Sequence, residues 1–464
     1  MTRFVARSAM WILAWAASLL LSGCVLAPKG IQAEQAKLKL ASHPFEPPLE
    51  SRQLPELSTP ADWRSVLQRA FLANGELESA YFDWKASMAR IDQAAAWPNN
   101  NVSLSFSYMF SPGKIKSWDR TTVSAGFDPA MNLSLPIKAR TAGKVALEAA
   151  RASGERFRAV KFDLQQKLLG AYLDLALLEE NARIQRDNLA LLKALASSAA
   201  NRAQAGGAQQ DLLKAQIQSQ IAENELGNLE AEARSMRASL NGMLARDTDA
   251  PLVLAPVLPA PRHVTTDDAR LILVAVDQNP ELASLARQVA GRKDAVELAR
   301  LAYLPDFNPS AGFTGSVSQF AGAMLVLPTN VPSIRGAVNE AQSMWRSAAA
   351  GARQTKRDRA ASFVAALYIL RNSERQIELF NKRISPAAQQ LLASSQQAYA
   401  AGAVGFADLI DSERMLIEVR LMVAAARVER EKRLAELEAL AGVDVETLGQ
   451  PTAVPATEPA SLPE

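Results

Sequence analysis

Reactive side chains are few in this 464-residue sequence, and they are not gathered. It has one cysteine, Cys24, and two histidines, His43 and His263. A single thiol cannot close an internal disulfide. Both histidines lie in proline-rich, loop-like surroundings, with no second ligand at metal spacing and no nucleophile motif nearby. The methionines are scattered along helical seams, a core pattern and not a copper site. Gly206-Gly207 closes a helical run, where paired glycine serves as a cap or turn and not as a phosphate loop. Asp408 and Asp411 stand three residues apart, on one face of a helix if they are helical. Asp408 follows a glycine turn and is placed to cap the next helix, while Asp411 fits a solvated face. No enzyme is expected from this set, and neither a metal nor a small-molecule cofactor.

The elements that carry these residues begin with an export signal over residues 1–23. Arg3 and Arg7 precede an apolar run, Met10 to Leu21, that is too short to span a bilayer comfortably. The formal charge of +3 falls to about +1 without those two arginines, which argues for no nucleic-acid partner. After Cys24 no apolar stretch is long enough for a transmembrane helix, so any crossing of a bilayer must use strands. Pro44, Pro47, Pro48, Pro55 and Pro60 predict that residues 24–60 form an extended tether. Residues 251–264, with Pro251, Pro256, Pro259 and Pro261, read as a linker, and 448–464 as a disordered tail.

Between these segments the sequence repeats itself, over 61–250 and again over 265–447. Leu133-Ser134-Leu135-Pro136 returns as Leu325-Val326-Leu327-Pro328, and Asp211-Leu212-Leu213 as Asp408-Leu409-Ile410. Upstream, Asn74-Gly75-Glu76-Leu77 is answered by Asn279-Pro280-Glu281-Leu282. Each copy reads as helix, β-hairpin, long helix and return helix, the mark of an elongated duplicated protein. In the first hairpin Val102, Leu104, Phe106, Tyr108 and Phe110 alternate with Ser103, Ser105, Ser107 and Met109. Period two gives one apolar and one mainly serine face, as in a barrel strand between lipid and water. The second hairpin has only Pro305 to Pro328 to work with and is expected to be the shorter.

No proline interrupts Ile137 to Ala250, a span rich in good helix formers. Residues 138–205 and 334–401 would each extend on the order of 100 Å as unbroken helix. The first return helix carries a seam at Leu212, Ala215, Ser219, Ala222, Leu226, Leu229, Ala233, Met236, Leu240 and Met243, at coiled-coil spacing. The second starts likewise at Leu409, Ser412 and Leu416, but Arg430 and Arg433 interrupt it. Ser385-Pro386 breaks the second long helix, predicting a kink or a restart with Ser385 as cap and Pro386 at the first position.

Leu21-Ser22-Gly23-Cys24 resembles the bacterial lipoprotein box, which implies acylation of Cys24 with a covalent lipid. Val25 follows where inner-membrane lipoproteins typically carry aspartate, so the outer membrane is favoured. The whole ordered motif set over about residues 61–445 resembles the TolC-like outer-membrane efflux family. That resemblance implies a mainly α fold with a small β part. It further implies a homotrimer whose strands, four per chain, close a transmembrane β-barrel continued by a periplasmic α-helical barrel. Its partners would be outer-membrane lipid, a periplasmic adaptor and an inner-membrane pump of the resistance-nodulation-division type. The matching gate positions are Asp408, Asp411 and Tyr399. Gly206, Gly207 and Gly402 match the tips that meet the adaptor, and Pro386 is the place to concentrate bending. Where some relatives carry a basic gate residue, this chain has Val404.

The resemblance implies a passive exit duct, and it leaves the cargo open between drugs and metal cations. The competing reading is a lipidated periplasmic coiled-coil or adaptor protein with no pore. It accounts for the helices and Cys24, but not for the Val102–Phe110 alternation or the duplication.

Overall fold

The structure is a computed structural model that describes residues 24–110, 113, 115–128, 133–204, 209–265, 267–316 and 318–446. Residues 1–23, expected as an export signal, Gly206, Gly207 and the residues from 447 lie outside the described residues. The described chain is mostly helical. Its strands are β1 (Cys24–Val25), β2 (Ala96–Trp97), β3 (Val102–Tyr108), β4 (Thr121–Phe127), β5 (Asp306–Thr314) and β6 (Ser318–Val326). The helices of the first half are α1 (Ile31–Ser42), α2 (Trp63–Ala73), α3 (Gly75–Ala95), α4 (Pro136–Gln204) and α5 (Gln209–Met243). Those of the second half are α6 (Asp268–Gln278), α7 (Pro280–Arg300), α8 (Val331–Leu379), α9 (Ser385–Ala400) and α10 (Phe406–Ala441).

The order short helix, helix, hairpin, long helix, return helix thus occurs twice. Helices α2 and α6 both have 11 residues, and α3 and α7 both have 21. They start by the same device. The Asp62 carboxylate accepts from the Arg64 N–H at 3.3 Å, and Asp267 from the Arg270 N–H at 3.0 Å. Such N-caps satisfy amides that the first helical turn leaves free. The compact units nevertheless cut across the repeats. One takes the chain up to His43 with Ala80–Phe157 and Glu281–Thr355, the other Pro44–Ser79, Arg158–Pro280 and Lys356–Glu464.

The first unit contains all six strands. Strands β3 to β6 form one antiparallel meander in the order β3-β4-β5-β6, with Val102 opposite Phe127, Val123 opposite Phe313 and Asp306 opposite Val326. The second hairpin is the longer, against expectation, with nine-residue strands where the first has seven. Its economy lies at the turn, where β5 ends at Thr314 and β6 resumes at Ser318, whereas in the first hairpin β3 ends at Tyr108 and β4 begins only at Thr121. Gly315 makes that turn with φ +51°, and a Cβ there would lie 2.3 Å from the Asp119 Cα. Pro309 is tolerated inside β5 because the ladder with β4 ends at Gly126↔Ser310, just before it.

Residues 24–60 are not the extended tether the prolines predicted. Cys24 pairs with Trp97 across β1 and β2, and α1 follows. The stretch 31–42 is built from good helix formers, and its prolines flank the helix without entering it. Ile31 packs with Trp84, Met88, Ile91, Leu147 and Ala150 in the core of this unit. In the other unit, Arg52 anchors residues 44–60 through Glu78 at 2.6 Å and the Leu72 carbonyl at 3.0 Å.

The second unit holds three apolar clusters along its helices. The α5 seam faces inward, with Ala215, Ala222, Ala233 and Leu240 buried. Small residues there let helix backbones approach closely. Arg430, which interrupts the matching seam of α10, is buried in an ion network. It bonds Glu374 at 3.1 Å, pairs with Glu431, and donates to the Arg262 carbonyl at 2.8 Å.

Candidate functional site

The sequence-derived site residues of the second repeat gather at the turn from α9 to α10. Helix α9 ends in a Schellman motif: the Gly402 N–H donates to the Tyr399 carbonyl at 3.1 Å and the Ala403 N–H to Ala398 at 2.8 Å. Gly402 supplies the left-handed residue this needs, at φ +74°, and its surroundings are open. Helix α10 then starts after Gly405, whose N–H donates to Asp408 Oδ2 at 3.2 Å. Asp408 therefore does cap the helix, reaching back as the third helical residue of a capping box would.

Asp408 and Asp411 are both exposed, three residues apart on one face of α10. Tyr399 does not join them. It is 7 % exposed and packs edge-on to Phe406, with ring centroids 5.8 Å apart. The phenol stabilises the turn from inside. Val404 is half-buried against the same cluster.

Behind the turn, α4, α5, α9 and α10 share an apolar cluster of Leu192, Ala215, Ala222, Ala388, Leu392, Leu409, Ile410, Leu416 and Val419. Ser395 Oγ and Ser412 Oγ, 2.7 Å apart, tie α9 to α10 across it. A residue that sequence reasoning missed lies beside this pair. Glu413 is 2 % exposed, and neither carboxylate oxygen has a hydrogen-bond partner among the described residues. Burial pushes its carboxyl up to about 7, against a smaller opposing pull from Arg414. The available signal was its spacing, four residues after Leu409 and three before Leu416, on the flank of the seam.

Pro386 lies where the long helix changes form. Phe380–Ile384 make a π-helical turn between α8 and α9, and the Ser385 N–H donates to the Phe380 carbonyl. The expected cap at Ser385 is absent: the residue is helical, and the helix widens instead of stopping. Proline lacks an N–H and its ring crowds the carbonyl four residues back, and a widened turn relieves both. The first repeat has no counterpart, since α4 runs unbroken from Pro136 to Gln204.

In the other unit, the β3 face that carries Leu104 and Phe106 leaves them 78 % and 71 % exposed. The serine face bonds within the sheet, Ser105 Oγ to Ser124 Oγ at 2.6 Å and Ser103 Oγ to the Gly126 carbonyl at 3.3 Å. Leu325 of β6 continues that face and is exposed, whereas the register places Phe320 and Met324, exposed too, on the serine face. Both edges of the meander, β3 and β6, pair with no further strand among the described residues. In β3 an apolar face lies opposite a serine face, and together with the two open sheet edges this is the form a barrel segment would take. Among the described residues no helix is long and apolar enough to cross a membrane, and no group of three or more His, Cys, Asp or Glu is placed to hold a metal ion.

Solved structures with this arrangement are outer-membrane channels. The outer-membrane channel OprN superposes with a TM-score of 0.69 at 17 % identity, covering 83 % of this chain and 90 % of that one. CusC, described in terms of transmembrane channel formation, gives 0.68 at 16 %, with 86 % and 97 % covered. The MtrE outer membrane channel of Neisseria gonorrhoeae, solved in its open state, gives 0.68 at 16 %, with 82 % and 89 % covered. In fold this chain is similar to these outer-membrane channels. Its structural neighbours are channels and not enzymes. No protein-family profile and no curated protein sequence matches the chain. At such identities the likeness is one of fold, with the chemistry of this chain carried by its own residues.

Proposed function

We propose that this protein is the outer-membrane exit duct of a tripartite efflux pump, passing drugs or metal cations passively outward. The observation that carries the reading is the four-stranded meander with two open edges, whose first strand, β3, has an exposed apolar face and a hydrogen-bonded serine face. Four strands cannot close on themselves, and edges unpaired in hydrocarbon are too costly to persist. Three copies would make a twelve-stranded barrel and remove every edge. The helices of the same homotrimer would form the periplasmic duct.

In this reading Cys24, at the head of β1, carries the lipid that anchors the chain to the outer membrane after removal of the export signal. Asp408 and Asp411 from three copies converge on one axis, a ring that attracts cations and narrows the pore. Asp408 does so while capping its own helix. The turn at Gly402 meets the periplasmic adaptor, with Gly206 and Gly207 as its first-repeat counterparts. The inner-membrane transporter, of the resistance-nodulation-division type, selects the cargo. The adaptor holds the helical end open by binding that state more tightly, and the π turn before Pro386 gives the long helix a place to bend.

The test is single-channel conductance of the purified protein in planar bilayers, with its mass in detergent. A trimer of small, cation-selective conductance that rises in Asp408→Ala/Asp411→Ala supports duct and gate together. A conducting trimer indifferent to those substitutions keeps the duct and removes the gate. A monomer that does not conduct returns the chain to the lipidated coiled-coil reading.

A further inference from the structure

Glu413 has no part in the duct as described so far, yet it is the most anomalous group near the helical turn. An ionised carboxylate without a hydrogen bond is expensive to bury, and the usual escape is to keep its proton. Here the surroundings offer no other escape. Helix α9 carries no charged side chain, and Tyr399 is its one ionisable group. On α4 the nearby charge is Lys193, which pairs with Glu223 of α5 at 2.7 Å. Asp211 and Lys214 are the remaining charges of the first turns of α5. On α10, Asp408 is engaged by the Gly405 N–H, Asp411 is exposed, and Arg414 projects about 100° around the helix from its neighbour. Among the described residues, only the charge of Arg414 bears on Glu413, and burial outweighs it.

The position matters as much as the burial. Glu413 adjoins Ser412, whose hydroxyl joins α9 to α10, and it lies between Ile410 and Leu416 of the shared apolar cluster. We infer that Glu413 is a proton-binding latch: neutral, it lets α9 and α10 stay packed with α4 and α5, and ionised, it drives that packing apart to reach water. The consequence for transport rests on the exit-duct reading, whereas the proton site itself does not.

The linkage has a definite direction. The packed state holds the proton with a pKa of about 7, while a separated helix exposes an ordinary glutamate near 4.5. Opening therefore releases a proton between those values. The opening equilibrium rises with pH up to about 7 and is flat above it. Acid closes the helical end and neutral pH frees it. Asp408 and Asp411 are the same in wild type and in Glu413→Gln, so the comparison of the two proteins isolates Glu413.

The experiment uses the full-length protein purified in detergent, as wild type and Glu413→Gln, an uncharged side chain of nearly the same shape. Amide hydrogen exchange over α9 and α10, corrected for the intrinsic rate, reads the opening equilibrium from pH 5 to pH 8. Planar-bilayer open probability is recorded over the same range. Wild type should lose protection by at least tenfold from pH 5 to pH 7, with a plateau above. Glu413→Gln should hold the pH 5 level throughout, in exchange and in open probability alike. Identical pH profiles for the two proteins in exchange would overturn the latch. An exchange shift that disappears in Glu413→Gln, in a protein that never conducts, would keep the latch and remove the duct reading.

Discussion

Arg262, in the connection between the repeats, places its guanidinium 2.8 Å from Glu438 Oε2 and 3.0 Å from Glu431 Oε2 on α10. Both carboxylates are buried, and Glu438 is almost fully so. Burial works against the charged Arg262, but the two carboxylates outweigh it and hold its pKa above the usual value. Burial raises the Glu438 carboxyl in turn, with Arg262 opposing.

Arg262→Met should cost about 3–5 kcal/mol in denaturant unfolding, because it strands buried carboxylates without their counter-charge. The loss should be smaller at pH 5 than at pH 8, since a neutral Glu438 tolerates burial without a partner. The sign follows from the raised carboxyl, whose ionisation destabilises the folded state as pH rises. A cost independent of pH would mean that Arg262 acts by packing on Trp63, over which its guanidinium stacks at 5.6 Å.

At the other end of α10, Gly402→Ala tests backbone alone, since no atom stands within 4 Å of the added Cβ. The left-handed residue of the Schellman turn should make it cost about 1–2 kcal/mol. Gly402→Asn should recover part of that, because asparagine tolerates this conformation better than alanine does. Thermal unfolding of the three proteins decides it, and equal midpoints would show that the turn relaxes freely.

The elements that were legible in the sequence are those whose cause is local. Helix α4 announces itself by the absence of proline, β3 by strict alternation, and the α9–α10 turn by glycine. The length of the second hairpin was not legible, because β6, Ser-Gln-Phe-Ala-Gly-Ala-Met-Leu-Val, shows no clean period and its extent is fixed by pairing with β5. Helix α1 was hidden by the prolines around it, and what holds it is a core drawn from residues far along the chain, such as Leu147 and Ala150. At the candidate site, Asp408 and Gly402 were found because capping and turn chemistry are local too. Glu413, Arg262 and Glu438 were missed for one reason: burial of a charge depends on helices brought together from distant sequence, and no local pattern records it.

Glu413→Gln should also stabilise the whole fold at pH 8, and by an amount that vanishes in acid. A carboxyl raised from 4.5 to about 7 in the folded state weakens folding as pH climbs through that interval. The full difference is at most about 3–4 kcal/mol, from about 1.4 kcal/mol per pK unit. Urea midpoints of wild type and variant, compared at pH 4.5 and pH 8, should converge at the lower value. A variant less stable than wild type at pH 8 would mean that the charged form is accommodated.

Leu104→Arg separates a lipid-facing strand from a water-facing one. Leu104 is 78 % exposed within the chain, and its cross-strand partner is Ala125, so arginine meets no steric barrier there. In water the substitution should be nearly neutral, as surface changes usually are. On the lipid face of a barrel it should cost about 2–4 kcal/mol near the midplane, falling towards the interfaces. The matching change on the serine face, Ser105→Arg, would point into the lumen and should be tolerated for assembly while altering ion selectivity. Folding into lipid vesicles, followed by trimer yield and resistance to heat in detergent, should therefore fall for Leu104→Arg and hold for Ser105→Arg. The reverse order would place serine against lipid and invert the barrel, and equal tolerance at both positions would take the meander out of the membrane.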